Sequence, residues 1–88
     1  MAIKAAHIAA LAGAKLLGPQ ENLFTQFAFD SRRIHSLQPT CFIALKTAYA
    51  DGHKYIDSAI SRGATTVICS REGLAKEYPY VAFIVHPE

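Results

Sequence analysis

The chain has 88 residues, of which 51% are hydrophobic and 18% are charged. This length allows one small domain with one core, and the composition excludes a disordered segment, which would be poorer in apolar residues and richer in charge. The net charge of +2 comes without a cluster of lysines and arginines, so we do not expect nucleic-acid binding. No stretch approaches the roughly 20 apolar residues that span a bilayer, and we expect no membrane partner.

The two cysteines, Cys41 and Cys69, lie in apolar, strand-like runs. Buried reduced thiols are the expected state there, because the spacing fits neither a C-x-x-C metal motif nor a disulfide framework. The N-terminal segment lacks the continuous apolar region and cleavage site of a secretion signal. These features predict a reducing, cytoplasmic location.

The first third of the chain predicts one helix and two strands. Apolar residues interleaved with alanines begin at Ile3 and favour a short helix that ends at Gly13. Residues 14–17 then predict a short strand, which a Gly-Pro turn signal closes. Residues 23–29 contain three phenylalanines, and this aromatic enrichment favours a second strand.

The middle of the chain predicts a turn, a strand and a helix. Asp30 and Ser31 readily bond to nearby backbone amides, so we expect the preceding strand to end in a structured turn. Residues 41–45 form a nearly continuous apolar run, which is typical of a central strand. Asp51 is the expected N-cap of a helix over residues 52–62. The apolar stripe of that helix is formed by Tyr55, Ile56, Ala59 and Ile60.

The last third of the chain repeats this alternation. Gly63 is the expected end of the preceding helix, and residues 65–69 predict a β-branched strand. A short helix over residues 71–77 and a last strand over residues 81–85 follow. The strand, helix and strand in the middle indicate a right-handed βαβ unit. We therefore expect a small single α/β domain, with a mixed β-sheet flanked by helices.

Three clusters would meet at one rim of the sheet, where open α/β sheets bind ligands: a polar turn, the end of the buried central strand, and a helix N-terminus. A turn with free amides and a helix N-terminus both favour an anion such as a nucleotide diphosphate. The candidate binding residues in these clusters are Asp30, Ser31, Arg32, Lys46, Tyr49, Asp51, Gly52 and His53.

Each cluster also has a plainer interpretation. Arg32 could grip a phosphate, or it could pair with an acidic neighbour such as Asp30 or Asp51. His53 could donate to an anion, or it could be an ordinary residue of a first helical turn. Tyr49 could stack on a base or cap the edge of the core. The residues alone leave these alternatives open.

Catalytic motifs are missing from the sequence. It has no G-x-x-x-x-G-K-[ST] phosphate loop, no G-x-G-x-x-G and no G-x-S-x-G nucleophile elbow. No two histidines stand at metal-ligand spacing. We therefore predict no catalytic residue, no metal and no cofactor in this chain. If it belongs to an ATP-using enzyme, the ATP site lies elsewhere.

Four blocks of the sequence resemble the N-terminal domain of the Mur ligases. They occur in the family order and are Phe29-Asp30-Ser31-Arg32, Phe42-Ile43-Ala44-Leu45-Lys46, Asp51-Gly52-His53-Lys54-Tyr55-Ile56 and Gly63-Ala64. The resemblance covers most of the chain from Ile3 onward, and it is densest between Phe29 and Ala64.

The resemblance implies a division of labour among domains. In that family the N-terminal domain binds the UDP end of a UDP-N-acetylmuramoyl-peptide, a central domain binds ATP with Mg²⁺, and a C-terminal domain helps to bind the incoming amino acid or dipeptide. Residues 1–88 resemble only the first domain, so the other two are implied partners in a longer parent. By the family pattern, Phe29 and Ser31 contact the uridine. The implied remainder of the nucleotide pocket includes Thr47, Ala48, Tyr49, Asp51, Gly52 and His53.

Two departures from the family pattern indicate a subgroup. The segment over residues 34–40 is longer than usual, and Thr47 replaces an expected glycine. Both features resemble the D-alanyl-D-alanine-adding group, in particular the form fused to an alanine racemase. The implied parent is an ATP-dependent peptidoglycan-precursor ligase that serves cell-wall biogenesis, cell shape and cell division, and the chain alone is not expected to be catalytic. The alternatives are the ligase that adds the third amino acid and a stand-alone nucleotide- or protein-binding module.

Overall fold

The structure is a computed structural model, and it describes residues 2–34, 38–44 and 51–86. Secondary structure within these ranges alternates between strands and helices. The strands are β1 (Ile3–Lys4), β2 (Lys15–Leu17), β3 (Leu23–Phe24), β4 (Gln26–Ala28), β5 (Thr40–Ile43), β6 (Ala64–Cys69) and β7 (Ala82–Val85). The α-helices are α1 (Ala5–Ala12) and α2 (Ile56–Arg62), and short 3₁₀ turns occupy Ser31–Arg33, Gly52–Tyr55 and Ala75–Glu77.

Five of these strands form one mixed sheet in the order β2-β7-β6-β5-β4. Strands β4, β5, β6 and β7 are parallel to one another, whereas β2 is antiparallel to β7. The carboxyl ends of the four parallel strands therefore share one edge of the sheet. Strands β1 and β3 form a separate antiparallel pair. The expected small α/β domain with a mixed sheet is confirmed.

The core has two layers because both faces of the sheet are covered. On one face, Phe42, Val67 and Phe83 pack with Ile56 of α2. On the other face, alanines of α1 pack with neighbouring β7 residues, and this smaller cluster consists of Ala5, Ala9, Ala82 and Ile84. Alternate residues of β7 serve opposite faces, which is the period of two that a strand imposes. The buried phenylalanines each contribute about 1.5–3 kcal/mol of apolar burial.

The predicted elements of the first third are confirmed in type and corrected in extent. Helix α1 ends at Gly13, which adopts φ 65° and so takes the left-handed conformation that glycine accepts without strain. The helix begins two residues later than expected, because Ile3 pairs with Phe24 as a strand. The single strand predicted over residues 23–29 is wrong: the chain switches partners at Thr25, whose N–H donates to Pro39 O at 2.8 Å.

The later elements also differ from the prediction at their ends. The predicted helix over residues 52–62 begins as a 3₁₀ turn, with α2 following it up to Gly63 at φ 122°. The predicted helix over residues 71–77 is wrong, since only its last residues form a 3₁₀ turn. Gly73 lies in the middle of that short segment, and glycine disfavours a helix there. Strand β5 is interior, as expected, but β6 is the middle strand.

The two cysteines behave as predicted. Cys41 and Cys69 are both buried free thiols. Burial raises the pKa of the Cys41 thiol to about 12 and raises that of Cys69 as well. Each therefore acts as a small apolar side chain rather than as a reactive thiolate.

Candidate functional site

A cleft of about 540 Å³ opens where strand β4 ends. It lies at the shared carboxyl edge of the parallel strands, the place where open α/β sheets bind ligands. The side chains that line it come from the turn after β4 and from the helical segment around α2. They are Phe29, Asp30, Ser31, Arg32, Tyr55 and Ser58.

The turn after β4 is held by a side-chain cap. Asp30 is extended, and its carboxylate accepts a hydrogen bond from the Arg32 N–H at 2.9 Å. The Asp30 carbonyl accepts from the Arg33 N–H at 3.0 Å, which closes the 3₁₀ turn. Helix α2 packs against this turn, and Ser31 is only 5% exposed. The structured turn predicted at Asp30 and Ser31 is therefore confirmed.

The Arg32 guanidinium forms a two-pronged ion pair with Asp30. Its Nε donates to Asp30 Oδ1 at 3.1 Å and its Nη2 donates to Asp30 Oδ2 at 2.9 Å. The side-chain hydrogen bonds from Arg32 hold the pKa of Asp30 at about 2, below its usual range. Of the partners left open by the sequence, Arg32 thus takes Asp30, and it does so with a side chain that is 82% exposed.

A second polar cluster surrounds Asp51 at the start of the next helical segment. The Asp51 carboxylate accepts from the His53 N–H at 3.0 Å, and the His53 ring contacts it through Nδ1 at 2.7 Å. Arg71 Nη2 donates to the other carboxylate oxygen at 2.9 Å. Hydrogen bonding from the His53 backbone, followed by that from its ring, lowers the pKa of Asp51 to about 2.

The other nitrogen of the His53 ring is engaged at the end of β6. The Ser70 N–H donates to His53 Nε2 at 3.1 Å, and Ser70 Oγ lies 3.2 Å from the same nitrogen. A backbone N–H can only donate, so Nε2 carries the lone pair and Nδ1 carries the proton. The ring is therefore a neutral bridge from Asp51 to Ser70, and its side chain is 5% exposed.

This bridge resembles a serine–histidine–aspartate relay in its spacing, but it does not provide a general base. The in-plane lone pair of His53 Nε2 already accepts from the Ser70 amide, so it cannot also take a proton from the Ser70 hydroxyl without losing that bond. His53 lines a different cavity, of about 350 Å³, together with Arg71 and Glu77. The cluster joins the helix start to the end of β6.

The structure thus separates the residues that the sequence placed at one rim. The cleft brings together Phe29, Asp30, Ser31 and Arg32. Asp51 and His53 use their polar atoms on each other and on the segment after β6. Gly52 opens the 3₁₀ turn beside them. The predicted site residues Lys46, Thr47, Ala48 and Tyr49 lie outside the described residues.

Sequence reasoning missed two residues of the cleft, Tyr55 and Ser58. The predicted apolar stripe includes Tyr55, but Tyr55 is 52% exposed, whereas its neighbour Ile56 is buried. The 3₁₀ turn before α2 rotates Tyr55 away from the direction that a continuous α-helix over residues 52–62 implies. The spacing of three between Tyr55 and Ser58 was the available signal, since residues three apart share a helical face.

The described residues contain neither a metal-binding cluster nor a membrane-spanning helix. In residues 2–34, 38–44 and 51–86, no group of three or more His, Cys, Asp and Glu side chains is placed to hold a metal ion. Across the same part of the chain, no helix has the length and apolar character needed to cross a membrane.

Comparison with known proteins identifies the family. Residues 25–87 match the model of the family described as "Mur ligase family, catalytic domain". The match includes the turn after β4, the Asp51 cluster and the whole βαβ unit. The chain belongs to the Mur ligase family, as the four sequence blocks predicted.

Curated relatives include two kinds of ligase. The chain is 37% identical over 62 residues to the UDP-N-acetylmuramoyl-L-alanyl-D-glutamate–2,6-diaminopimelate ligase of Parabacteroides distasonis, covering 70% of this chain and 12% of that protein. It is 31% identical over 72 residues to the UDP-N-acetylmuramoyl-tripeptide–D-alanyl-D-alanine ligase of Haemophilus influenzae, covering 82% of this chain and 15% of that protein. The chain therefore spans a small part of the length of these relatives.

Solved structures show the same fold. The D-alanyl-D-alanyl ligase of Acinetobacter baumannii matches 97% of this chain and 18% of that chain, with a TM-score of 0.73 at 20% identity. The MurF ligase of Thermotoga maritima, solved in complex with ADP, matches 56% of this chain and 11% of that chain, with a TM-score of 0.50 at 31% identity. The first likeness confirms the predicted fold class.

Proposed function

We propose that this chain is the UDP-N-acetylmuramoyl-peptide-binding domain of an ATP-dependent ligase that adds D-alanyl-D-alanine to UDP-N-acetylmuramoyl-tripeptide. The observation that carries the proposal is the cleft after β4, in a chain that belongs to the Mur ligase family. Phe29 and Ser31, the residues implied to contact uridine, both line this cleft. A half-open cleft with an aromatic ring and several polar groups suits a nucleotide.

The chemistry of the cleft supports a role in holding the substrate rather than in catalysis. Its charged groups, Asp30 and Arg32, are engaged with each other, and the cysteines lie in the core. The sequence contains no phosphate loop. In this proposal ATP and Mg²⁺ bind to a further domain, and the contribution of this domain is to anchor the UDP group, so that the distant carboxylate is oriented for reaction.

A second candidate is the ligase that adds the third amino acid of the peptide. It is favoured by a specific observation, since the diaminopimelate ligases of Parabacteroides distasonis and Fusobacterium nucleatum are 37% and 46% identical over 62 and 44 residues. Both candidates bind a UDP-N-acetylmuramoyl-peptide, so both use the cleft in the same way. A longer protein carrying this chain distinguishes them: phosphate release with the tripeptide substrate and D-alanyl-D-alanine supports the first, and release with the dipeptide substrate and diaminopimelate supports the second.

The binding role is tested by NMR titration of the ¹⁵N-labelled chain. UDP-N-acetylmuramoyl-tripeptide and UMP are expected to shift the amide signals of residues 29–32, 55 and 58, and ATP is expected to leave them in place. The same titration covers residues 46–49, which the family resemblance assigns to the pocket. No shift at millimolar concentrations of the UDP ligand would overturn the proposal and leave the stand-alone interaction module.

Two further features of the parent are part of the proposal. The buried, protonated thiols suit a reducing cytoplasmic compartment, in which the nucleotide substrate would be available. The fusion to an alanine racemase stays a prediction from the sequence. Reading the frame that follows residue 88 tests it directly.

A further inference from the structure

We propose that Tyr55 forms a second aromatic wall of the nucleoside site, facing Phe29 across the cleft, and that Ser58 keeps the space beside it open. The inference rests on the proposed function and assigns a role in base binding to two residues outside the predicted site. The base would lie between one ring from the turn after β4 and one ring from the segment before α2.

Both aromatic rings of the cleft are exposed to solvent. Phe29 is 64% exposed and Tyr55 is 52% exposed, although both sit beside residues of the folded core. Ile56, the next residue in the chain, is 1% exposed. The backbone at this point therefore directs Ile56 into the core and Tyr55 toward solvent. Two large rings that line one cleft and remain open to solvent indicate a binding surface.

The two rings line one cavity without stacking on each other. Phe24 and Phe27 show what a packed pair looks like in this chain, with ring centroids 5.0 Å apart at an interplanar angle of 69°. Phe29 and Tyr55 form no such pair in the described part of the chain, yet both line the cavity of about 540 Å³. A planar base between them would make the stacking contacts that the rings do not make with each other.

The polar end of the cleft is formed by Arg32, which lines it together with Tyr55. Hydrogen bonding to Asp30 is the main cause that raises the pKa of Arg32, and Tyr55 makes a small electrostatic contribution in the same direction. Arg32 is itself fixed on Asp30 by two hydrogen bonds. The charged end of the cleft is therefore taken up by an ion pair, and Phe29 and Tyr55 supply the aromatic surface beside it.

Ser58 lies one helical turn after Tyr55 and lines the same cleft with a small side chain. A larger residue there would project into the space that we assign to the base. Because Ser58 is exposed, such a replacement changes the cleft without changing the core. The Ser58→Leu variant thus tests the location of the base independently of the tyrosine.

The test measures binding of UMP to the full 88-residue chain by calorimetry, with NMR detection of the uracil H5 and H6 protons. Tyr55→Ala is expected to weaken binding about tenfold or more, since removing one stacking ring typically has this effect. Tyr55→Phe is expected to bind nearly as tightly as the unmodified chain. Ser58→Leu is expected to weaken binding, and Tyr80→Ala, which removes an exposed tyrosine outside the cleft, is expected to have no effect.

The NMR signals separate stacking from an indirect effect on folding. Ring currents should move the uracil protons upfield in the unmodified chain and in Tyr55→Phe, and less so in Tyr55→Ala. Equal UMP affinity of Tyr55→Ala and the unmodified chain would overturn the inference while leaving the proposed function intact, provided that Phe29→Ala weakens binding. If the unmodified chain does not bind UMP or the UDP ligand, both the proposed function and this inference are wrong.

Discussion

Two turns at the same edge of the sheet are each capped by an aspartate, but the polar side chains of the two turns have different partners. At the end of β4, Asp30 caps the turn and pairs with Arg32, and the neighbouring aromatic ring faces an open cleft. At the start of the next helical segment, Asp51 also caps a turn, but its partners His53 and Arg71 tie it to the segment after β6. In both turns an aspartate accepts the N–H two residues later.

The difference lies in where the partners of each cap come from. Asp30 is satisfied by Arg32, its own neighbour in the chain, so the turn is complete by itself and leaves the cleft free. Asp51 is linked through the His53 ring to Ser70, which lies 17 residues after His53 in the chain. A local cap can border a ligand site, whereas a long-range cap joins two parts of the fold. The first turn is therefore expected to govern binding and the second to govern stability.

The largest effect is expected from His53→Ala. It removes the ring that bridges Asp51 and Ser70 and leaves a buried polar cluster unsatisfied, which we expect to lower the free energy of unfolding by about 2–4 kcal/mol. Urea denaturation followed by circular dichroism measures it. His7→Ala, at an exposed site in α1, is the matched control and should change little.

A complementary variant, His53→Gln, sharpens this test. Its amide oxygen can accept from the Ser70 N–H, so we expect part of the lost stability to return. Weaker UMP binding by folded His53→Ala would contradict the assignment of this cluster to stability alone.

Phe29→Ala is the matching change in the cleft. We expect it to weaken UMP binding by about 1–3 kcal/mol, because one stacking ring is lost. The exposed ring contributes little to the core, so the free energy of unfolding should stay within about 0.5 kcal/mol of the original. Calorimetric titration and urea denaturation on the same sample measure the two quantities. A large loss of stability with unchanged UMP binding would show that Phe29 supports the fold and not the ligand site.

The loss of stability at low pH is expected to depend on Asp51. Its folded pKa of about 2 lies below the ordinary value of 3.8, so its contribution to stability is present above about pH 4 and is lost as the pH falls toward 2. Asp51→Asn should therefore reduce the slope of stability against pH in that window. Thermal unfolding at several pH values measures the slope, and Glu21→Gln serves as a charge-matched control. An unchanged slope in Asp51→Asn would show that other carboxyl groups cause the acid loss.

The smallest effect is expected from Arg32→Ala. The ion pair with Asp30 is exposed, and solvent-exposed pairs contribute little to stability. UMP binding should weaken only a few-fold, because the two donors of the guanidinium fork that a phosphate would use are already taken by Asp30. Calorimetry with UMP measures this, and Arg33→Ala is the neighbouring control. A loss of binding as large as that of Phe29→Ala would show that Arg32 leaves Asp30 to grip the phosphate.

Much of the fold could be predicted because it depends on local chemistry. Gly13 and Gly63 end the helices as expected, since their backbone conformations favour glycine. The buried strands over β5, β6 and β7 follow from apolar, β-branched runs. The break at Thr25 could not be predicted, because it depends on a hydrogen bond to Pro39, 14 residues away.

Most of the candidate site, the residues from Phe29 to Arg32, could be predicted in the same way. Phe29 and Ser31 were found through the strand that ends beside them and through the family resemblance. Tyr55 and Ser58 were missed, since the 3₁₀ start of the helix changes which face each residue occupies, and an apolar periodicity does not distinguish the two helix types.

By itself, the sequence determined the family, the α/β class and both aspartate caps. The family and the class follow from short sequence blocks, and each cap depends on a hydrogen bond that reaches only two residues along the chain. Only the tertiary structure decided which capped turn borders the cleft after β4. That outcome depends on contacts between distant segments: α2 packs against the turn after β4, while His53 bonds to Ser70 at the end of another strand. Burial and partner choice arise when the sheet assembles, so an aspartate cap can border an open cleft at one strand end and be tied into a side-chain network at another.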